Sequence, residues 1–106
     1  PEIVLGAPGG TQIAMGVLQT ILNVVDFGMT MQPAVAAPRF SSPSNAIDVS
    51  NRIPRSVTGE LEGLVYEVMR KPFGHTIAWV HAIRLAEAGR LDGGADPGRD
   101  GVAYEA

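Results

Sequence analysis

Apolar positions open the chain as a short run, Ile3-Val4-Leu5, which predicts a strand over residues 2–5. The turn Gly6-Ala7-Pro8-Gly9-Gly10-Thr11 follows, and the pattern then changes period. Over residues 12–25, Ile13, Val17, Ile21 and Val24 share one helical face, with Leu18 and Leu22 beside them. Gln12, Gln19 and Asn23 leave only a narrow polar stripe. That distribution predicts a helix covered on two sides, against a sheet and against other structure. Thr11 is placed to cap it, Gly16 to admit a neighbouring backbone, and Gly28 to end it in the left-handed conformation. A second helix is expected over residues 32–37, with Pro33 in its first turn and Pro38 as its stop.

Further on, residues 41–45 (Ser-Ser-Pro-Ser-Asn) form a polar turn. Residues 46–50 alternate as a strand, residues 54–64 read as a helix weakened by two glycines, and residues 65–70 alternate again. Residues 76–85 are the strongest strand after the first, and residues 86–89 connect them to 90–95 as a hairpin. Residues 98–106 read as surface loop. This order predicts a layered α+β architecture with an antiparallel component and too few βαβ units for a doubly wound domain.

Composition adds one constraint to this picture. Hydrophobic residues make up 45% of the 106 positions and charged residues only 18%. So little charge points to another polypeptide covering much of the exterior, with small neutral loops as the alternative source of the deficit. The net charge of −3 and the lack of a basic cluster argue against nucleic-acid binding. Cysteine is absent, so disulfides and thiolate metal sites are excluded. No apolar stretch is long enough to predict a membrane span. The first residue is Pro1 rather than Met, which raises the expectation of a processed or truncated piece. His75 and His81 lack a third ligand in any zinc spacing, so no metal and no cofactor is expected. His81 is expected to be structural, and Met15, Met29, Met31 and Met69 to fill core.

The glycine pair admits two chemistries and a bland alternative. Backbone N–H groups free of side chains can hold a phosphate, or the oxygen that turns negative when an amide is attacked. The phosphate reading lacks its companions: no Lys follows Gly10, and no Gly-x-Gly-x-x-Gly is present. On spacing alone, an oxyanion site and a tight structural turn both remain. Asp26 is expected to cap its turn or to pair with Arg39. Asp96, Arg99 and Asp100 either lock the terminal loop by charged hydrogen bonds or lie solvated on the surface.

In family order, several of these segments resemble the C-terminal part of the small subunit of gamma-glutamyltranspeptidases and the related class IV cephalosporin acylases. The matching stretches are residues 5–11 (Leu-Gly-Ala-Pro-Gly-Gly-Thr), 17–29, 34–40 (Ala-Val-Ala-Ala-Pro-Arg-Phe), 80–83 and 89–101, while residues 41–75 match in pattern. The resemblance implies a four-layer αββα N-terminal-nucleophile hydrolase, made by self-cleavage of a precursor into two subunits. In that family a Thr or Ser freed at the small subunit's N-terminus attacks the amide, with its own α-amine as base. The resemblance assigns the backbone N–H groups of Gly9 and Gly10 to the oxyanion hole and to substrate binding, and gives Asp26, Arg39 and Asp100 structural roles. It places the nucleophile and the carboxylate-gripping arginine outside these 106 residues, on the large subunit and the rest of the small subunit. This chain alone is therefore expected to be inactive. A Thr11 stands where the family usually has Ser. The implied substrates are gamma-glutamyl amides, with glutaryl-cephalosporins as the alternative; a non-catalytic structural homologue is the third reading. Export to the periplasm or exterior is common in the family, and a cytoplasmic setting stays open.

Overall fold

The computed structural model describes residues 2–72, 74, 77–99 and 101–103. The expected first strand forms as β1 (Ile3–Gly6), and the glycine turn runs through a single 3-10 turn (Gly10–Gln12) into helix α1 (Ile13–Val25). Helix α2 (Met31–Ala36) follows, then strands β2 (Phe40–Ser41) and β3 (Ile47–Val49), helix α3 (Arg55–Gly63), β4 (Val68–Arg70), β5 (His81–Leu85) and β6 (Leu91–Ala95).

Two three-stranded sheets result. The first has the order β1-β5-β6, antiparallel throughout, with Leu5 opposite Ala82 and Ala82 opposite Gly94. Ala88 and Gly89 both take positive φ in the β5–β6 connection, which is the backbone a tight hairpin requires. The second sheet has the order β2-β3-β4, with β3 and β4 parallel across α3. Strand β2 and this parallel pairing were not expected from the sequence; two residues are too few to show an alternation.

Helices α1 and α2 cover one face of the first sheet. Val24, Met31, Ala34, Val35, Val80 and Ala82 form the core there, with Ile3, Leu5, Ala7 and Met29 packed around it. Two polar locks fix α2 against β6. The Gln32 side chain donates to Ala95 O and accepts from Ala95 N, both at 2.9 Å, as a neighbouring strand would. Asp92 Oδ2 accepts the Met31 amide at 2.8 Å. The helices approach so closely that a Cβ on Gly94 would lie 2.7 Å from Met31 O.

The polar stripe of α1 is itself half-buried. The buried seam of the helix is Gly16, Thr20 and Val24, with Val17 and Ile21 half-buried, whereas Ile13, Leu18, Leu22 and Val25 are exposed. Hydrogen bonding accounts for the covered polar side chains. Gln19 clasps the Phe40 backbone, donating to its O at 2.7 Å and accepting its N–H at 3.1 Å, and Asn23 donates to Ala34 O. The other face of the first sheet is bare as well: Val4, Ile83, Leu85 and Leu91 are all exposed. An open hollow of about 930 Å³ lies on that face, lined by these strands and by Val102 and Ala103.

Other expectations need adjusting. The long strand expected over 76–85 starts only at His81, because Ala78 turns to φ 58° and breaks the extended backbone. The strand expected over 65–70 shrinks to Val68–Arg70, since Val65 also takes a positive φ. Thr11 supplies no side-chain cap; Gly9 begins the 3-10 turn by accepting the Gln12 N–H. Gly28 does adopt φ 68° at the end of α1, and Met29 N–H then reaches back to Asn23 O.

Candidate active site

Gly9 (φ 146°, ψ 9°) and Gly10 (φ 61°) take backbone conformations that side chains resist, and this forces the sharp entry from β1 into α1. Gly9 O accepts the Gln12 amide at 3.1 Å. Neither the Gly9 nor the Gly10 amide donates to another described residue. Two consecutive N–H groups are thus left available at the N-terminal end of a helical run, where partial positive charge accumulates.

The segment 77–80 backs this turn. Ala78 is fully buried, and a Cβ built on Gly9 would lie 2.8 Å from Ala78 Cα. On Gly16 an added Cβ would lie 2.8 Å from Ala78 Cβ. Trp79 N–H donates to Pro8 O at 3.2 Å, tying the segment to the start of the turn. The close approach expected at Gly16 is therefore present, and Ala78 is what approaches.

A buried ion pair holds the same segment from behind. Arg39 Nη1 donates to Asp96 Oδ2 at 2.8 Å, and the two side chains are 6% and 0% exposed. The same nitrogen reaches Ile77 O (3.2 Å) and Ala78 O (3.3 Å), while Nη2 donates to Val35 O. Asp96 Oδ2 also accepts the Val80 amide at 3.1 Å, and Oδ1 accepts that of Gly98 at 2.9 Å. Burying two charges is costly, and this pair is offset by hydrogen bonds on both partners. Arg52 lies beside it and donates to Gly74 O and Ala36 O. Burial, and then the Arg39 charge, lower its guanidinium below the usual arginine range, while Asp96 acts the other way.

The residues singled out in the sequence thus divide. Gly9 and Arg39 both touch segment 77–80, Gly10 follows Gly9 in the turn, and Arg39 is buried and bonded to main-chain carbonyls. Asp26 does not join them: it is exposed at the end of α1, and the partner of Arg39 is Asp96. Asp96 is likewise no solvated surface residue. Asp100 and His75 fall outside the described residues. His81 sits exposed on the bare sheet face, its ring against Gly101. Arg99 stacks over the Trp79 ring at 4.3 Å, so the loop after β6 also leans on segment 77–80. Ala78 went unnoticed in the sequence because nothing marks an alanine as left-handed. Asp96 carried a usable signal in Asp-Pro-Gly, a turn in which the carboxylate accepts an amide two residues on. Among the described residues no group of three His, Cys, Asp or Glu side chains is placed to hold a metal ion, and no helix is long and apolar enough to cross a membrane.

The gamma-glutamyltranspeptidase family model matches residues 1–106. The glutathione hydrolase proenzyme of Bacillus subtilis strain 168 is 32% identical over 105 residues, covering 97% of this chain and 18% of the relative. The acylase ACY 1 proenzyme of Pseudomonas sp. strain V22 is 34% identical over 98 residues, covering 92% of this chain and 17% of the relative. Among solved structures, gamma-glutamyltranspeptidase from Pseudomonas nitroreducens, complexed with L-DON, superposes with a TM-score of 0.85 at 29% identity. That match covers 99% of this chain and 55% of the solved one. The chain therefore spans less than a fifth of the curated relatives it matches and about half of that solved chain. Its two-sheet α+β architecture is part of the αββα fold of the N-terminal-nucleophile hydrolases. The match over the whole length, with the glycine turn and its backing in place, makes this chain a member of the gamma-glutamyltranspeptidase family.

Proposed function

We propose that this chain supplies the oxyanion-binding turn of an N-terminal-nucleophile enzyme that cleaves gamma-glutamyl amides by hydrolysis or transfer. The observation that carries the reading is the Gly9–Gly10 pair: two consecutive amides that engage no other described residue, in positive-φ conformations that side chains resist, with Gly9 against a buried wall. A Thr or Ser hydroxyl from another part of the protein attacks the amide carbonyl, and its α-amine takes the proton. The carbonyl oxygen becomes negative and is held by the two glycine N–H groups. Collapse of the tetrahedral intermediate expels the amine, which leaves with that proton, and a gamma-glutamyl ester remains. Water or a second amine then resolves the ester. Each donor in such a site contributes about 2.7–4 kcal/mol to the barrier reduction.

The surroundings support a multi-part enzyme. The bare face of the first sheet (Val4, Ile83, Leu85, Leu91) and the exposed face of α1 (Ile13, Leu18, Leu22) present more apolar surface than a free-standing domain keeps in water. The large subunit and the remainder of the small subunit are the proposed occupants. The likeness to an acylase favours a second reading, removal of a glutaryl group, on the same turn and with the same chemistry.

Turnover of gamma-glutamyl and glutaryl anilides by the full protein separates the two, because a glutaryl group has no α-amine to recognise. Release of aniline from the gamma-glutamyl compound is expected from the full protein and not from these 106 residues alone. Preference for the glutaryl compound would establish the acylase reading, and inertness toward both would leave a structural homologue.

A further inference from the structure

We infer that Ala78 is a positioning residue for the Gly9–Gly10 turn, seated in a socket made by Gly9 and Gly16 and held there by the Arg39–Asp96 pair. The inference rests on the oxyanion reading above and adds the device that sets where the two amides point.

Three observations converge on Ala78. It adopts φ 58°, a conformation that alanine enters at a cost, and it does so with no exposed surface. Such strain persists only where surrounding contacts over-determine it. Here they do: the Ala78 carbonyl and the Ile77 carbonyl before it both accept from Arg39 Nη1, and the Val80 amide is held by Asp96 Oδ2. The next amide along, Trp79 N–H, is bonded to Pro8 O, one residue ahead of the glycine pair.

The second observation is steric. Gly9 and Gly16 both abut Ala78, and neither has room for a methyl group facing it. Gly16 is on α1 and Gly9 is in the turn that feeds α1, so the Ala78 methyl fixes the spacing between them. The third is the choice of a charged pair in this place. A buried Arg–Asp pair is a poor stabiliser compared with packed apolar side chains, but its fixed fork geometry specifies where three main-chain groups lie.

Oxyanion donors act only in the transition state, so small displacements of the turn change kcat rather than substrate affinity. Misplacement by about 1 Å costs on the order of 100-fold. Gly16→Ala forces the plug away from α1, Ala78→Gly removes the plug, and the double variant moves one methyl from one side of the contact to the other.

The experiment is this double-mutant cycle in the full-length mature enzyme. It reads kcat and KM for a gamma-glutamyl anilide, the affinity of a boronate that mimics the tetrahedral intermediate, and the melting temperature. Gly16→Ala is expected to lower kcat by about 10- to 100-fold with KM unchanged, and to weaken boronate binding by the same factor. In the double variant both quantities recover toward wild type, a coupling that independent sites do not show. If Gly16→Ala does not mature, Ala78→Gly carries the test: kcat and boronate affinity fall together while the melting temperature is held. Wild-type kcat in Gly16→Ala, singles that simply multiply in the double, or losses that follow the folded fraction would each overturn the positioning role. A wild-type enzyme that binds the boronate no tighter than a substrate-like carboxylate would instead overturn the oxyanion reading itself.

Discussion

Ala78 and Val65 share an uncommon backbone conformation and differ in almost everything else. Both are non-glycine residues at positive φ, 58° and 70° respectively. Ala78 has no exposed surface; Val65 is 93% exposed. Around Ala78, hydrogen bonds donated by Arg39 and accepted by Asp96 and Pro8 bind consecutive peptide groups, and two glycines abut the residue. Val65 merely follows α3, its N–H bonded to Glu62 O at 2.9 Å while Tyr66 N–H reaches Leu61 O. That is the position at which helices usually place glycine. The same torsion thus serves two purposes. At Val65 it ends a helix locally, whereas at Ala78 it is imposed by tertiary structure, and the strain there has a consequence for the neighbouring turn.

The comparison breaks most severely at Arg39. Arg39→Met removes the ion-pair donor of buried Asp96 and frees the Ile77 and Ala78 carbonyls from Nη1, and a loss of about 3–5 kcal/mol is expected. Urea unfolding of the full mature protein measures it, and a loss below 1 kcal/mol on that curve would remove the pair from the account. At the other end, Val65→Gly should stabilise slightly. Relief of the left-handed strain, about 1–2 kcal/mol, exceeds the entropic cost of glycine, about 0.5–1 kcal/mol. The same unfolding experiment should show the midpoint rising with kcat unchanged. Destabilisation by Val65→Gly would mean that its torsion, too, is held by contacts beyond its own helix end.

How much of this was legible beforehand depended on the range of the interactions. Local signals were sufficient for β1, α1, α2, the β5–β6 hairpin and the left-handed Gly28, since each rests on periodicity or on residues within one turn. Long-range hydrogen bonds hide the environment of α1 from its sequence. Gln19 and Asn23 look like a solvent-facing stripe until Phe40 and Ala34 are placed beside them. Val24 is core and Val17 and Ile21 are half-buried, but Ile13, Leu18 and Leu22 lie on an outer surface, consistent with the low charge of the chain. The two alternatives for Asp96 stay open in the sequence for a related reason: Arg39 is 57 residues away, and neither residue shows its partner. At the glycine turn, spacing left both a structural bend and an oxyanion site open. The unengaged amides and the wall behind Gly9, which support the oxyanion proposal, are visible only in the folded chain.

In the proposed mechanism Gly9 and Gly10 receive the oxygen of the tetrahedral intermediate. The direct test is a crystal structure of the full mature enzyme with a gamma-glutamyl boronate bound to its nucleophile. One boronate oxygen is expected about 2.7–3.1 Å from both glycine nitrogens, with the 77–80 segment unmoved behind them. A boronate oxygen held by other donors, with both glycine amides beyond hydrogen-bond reach, would contradict it.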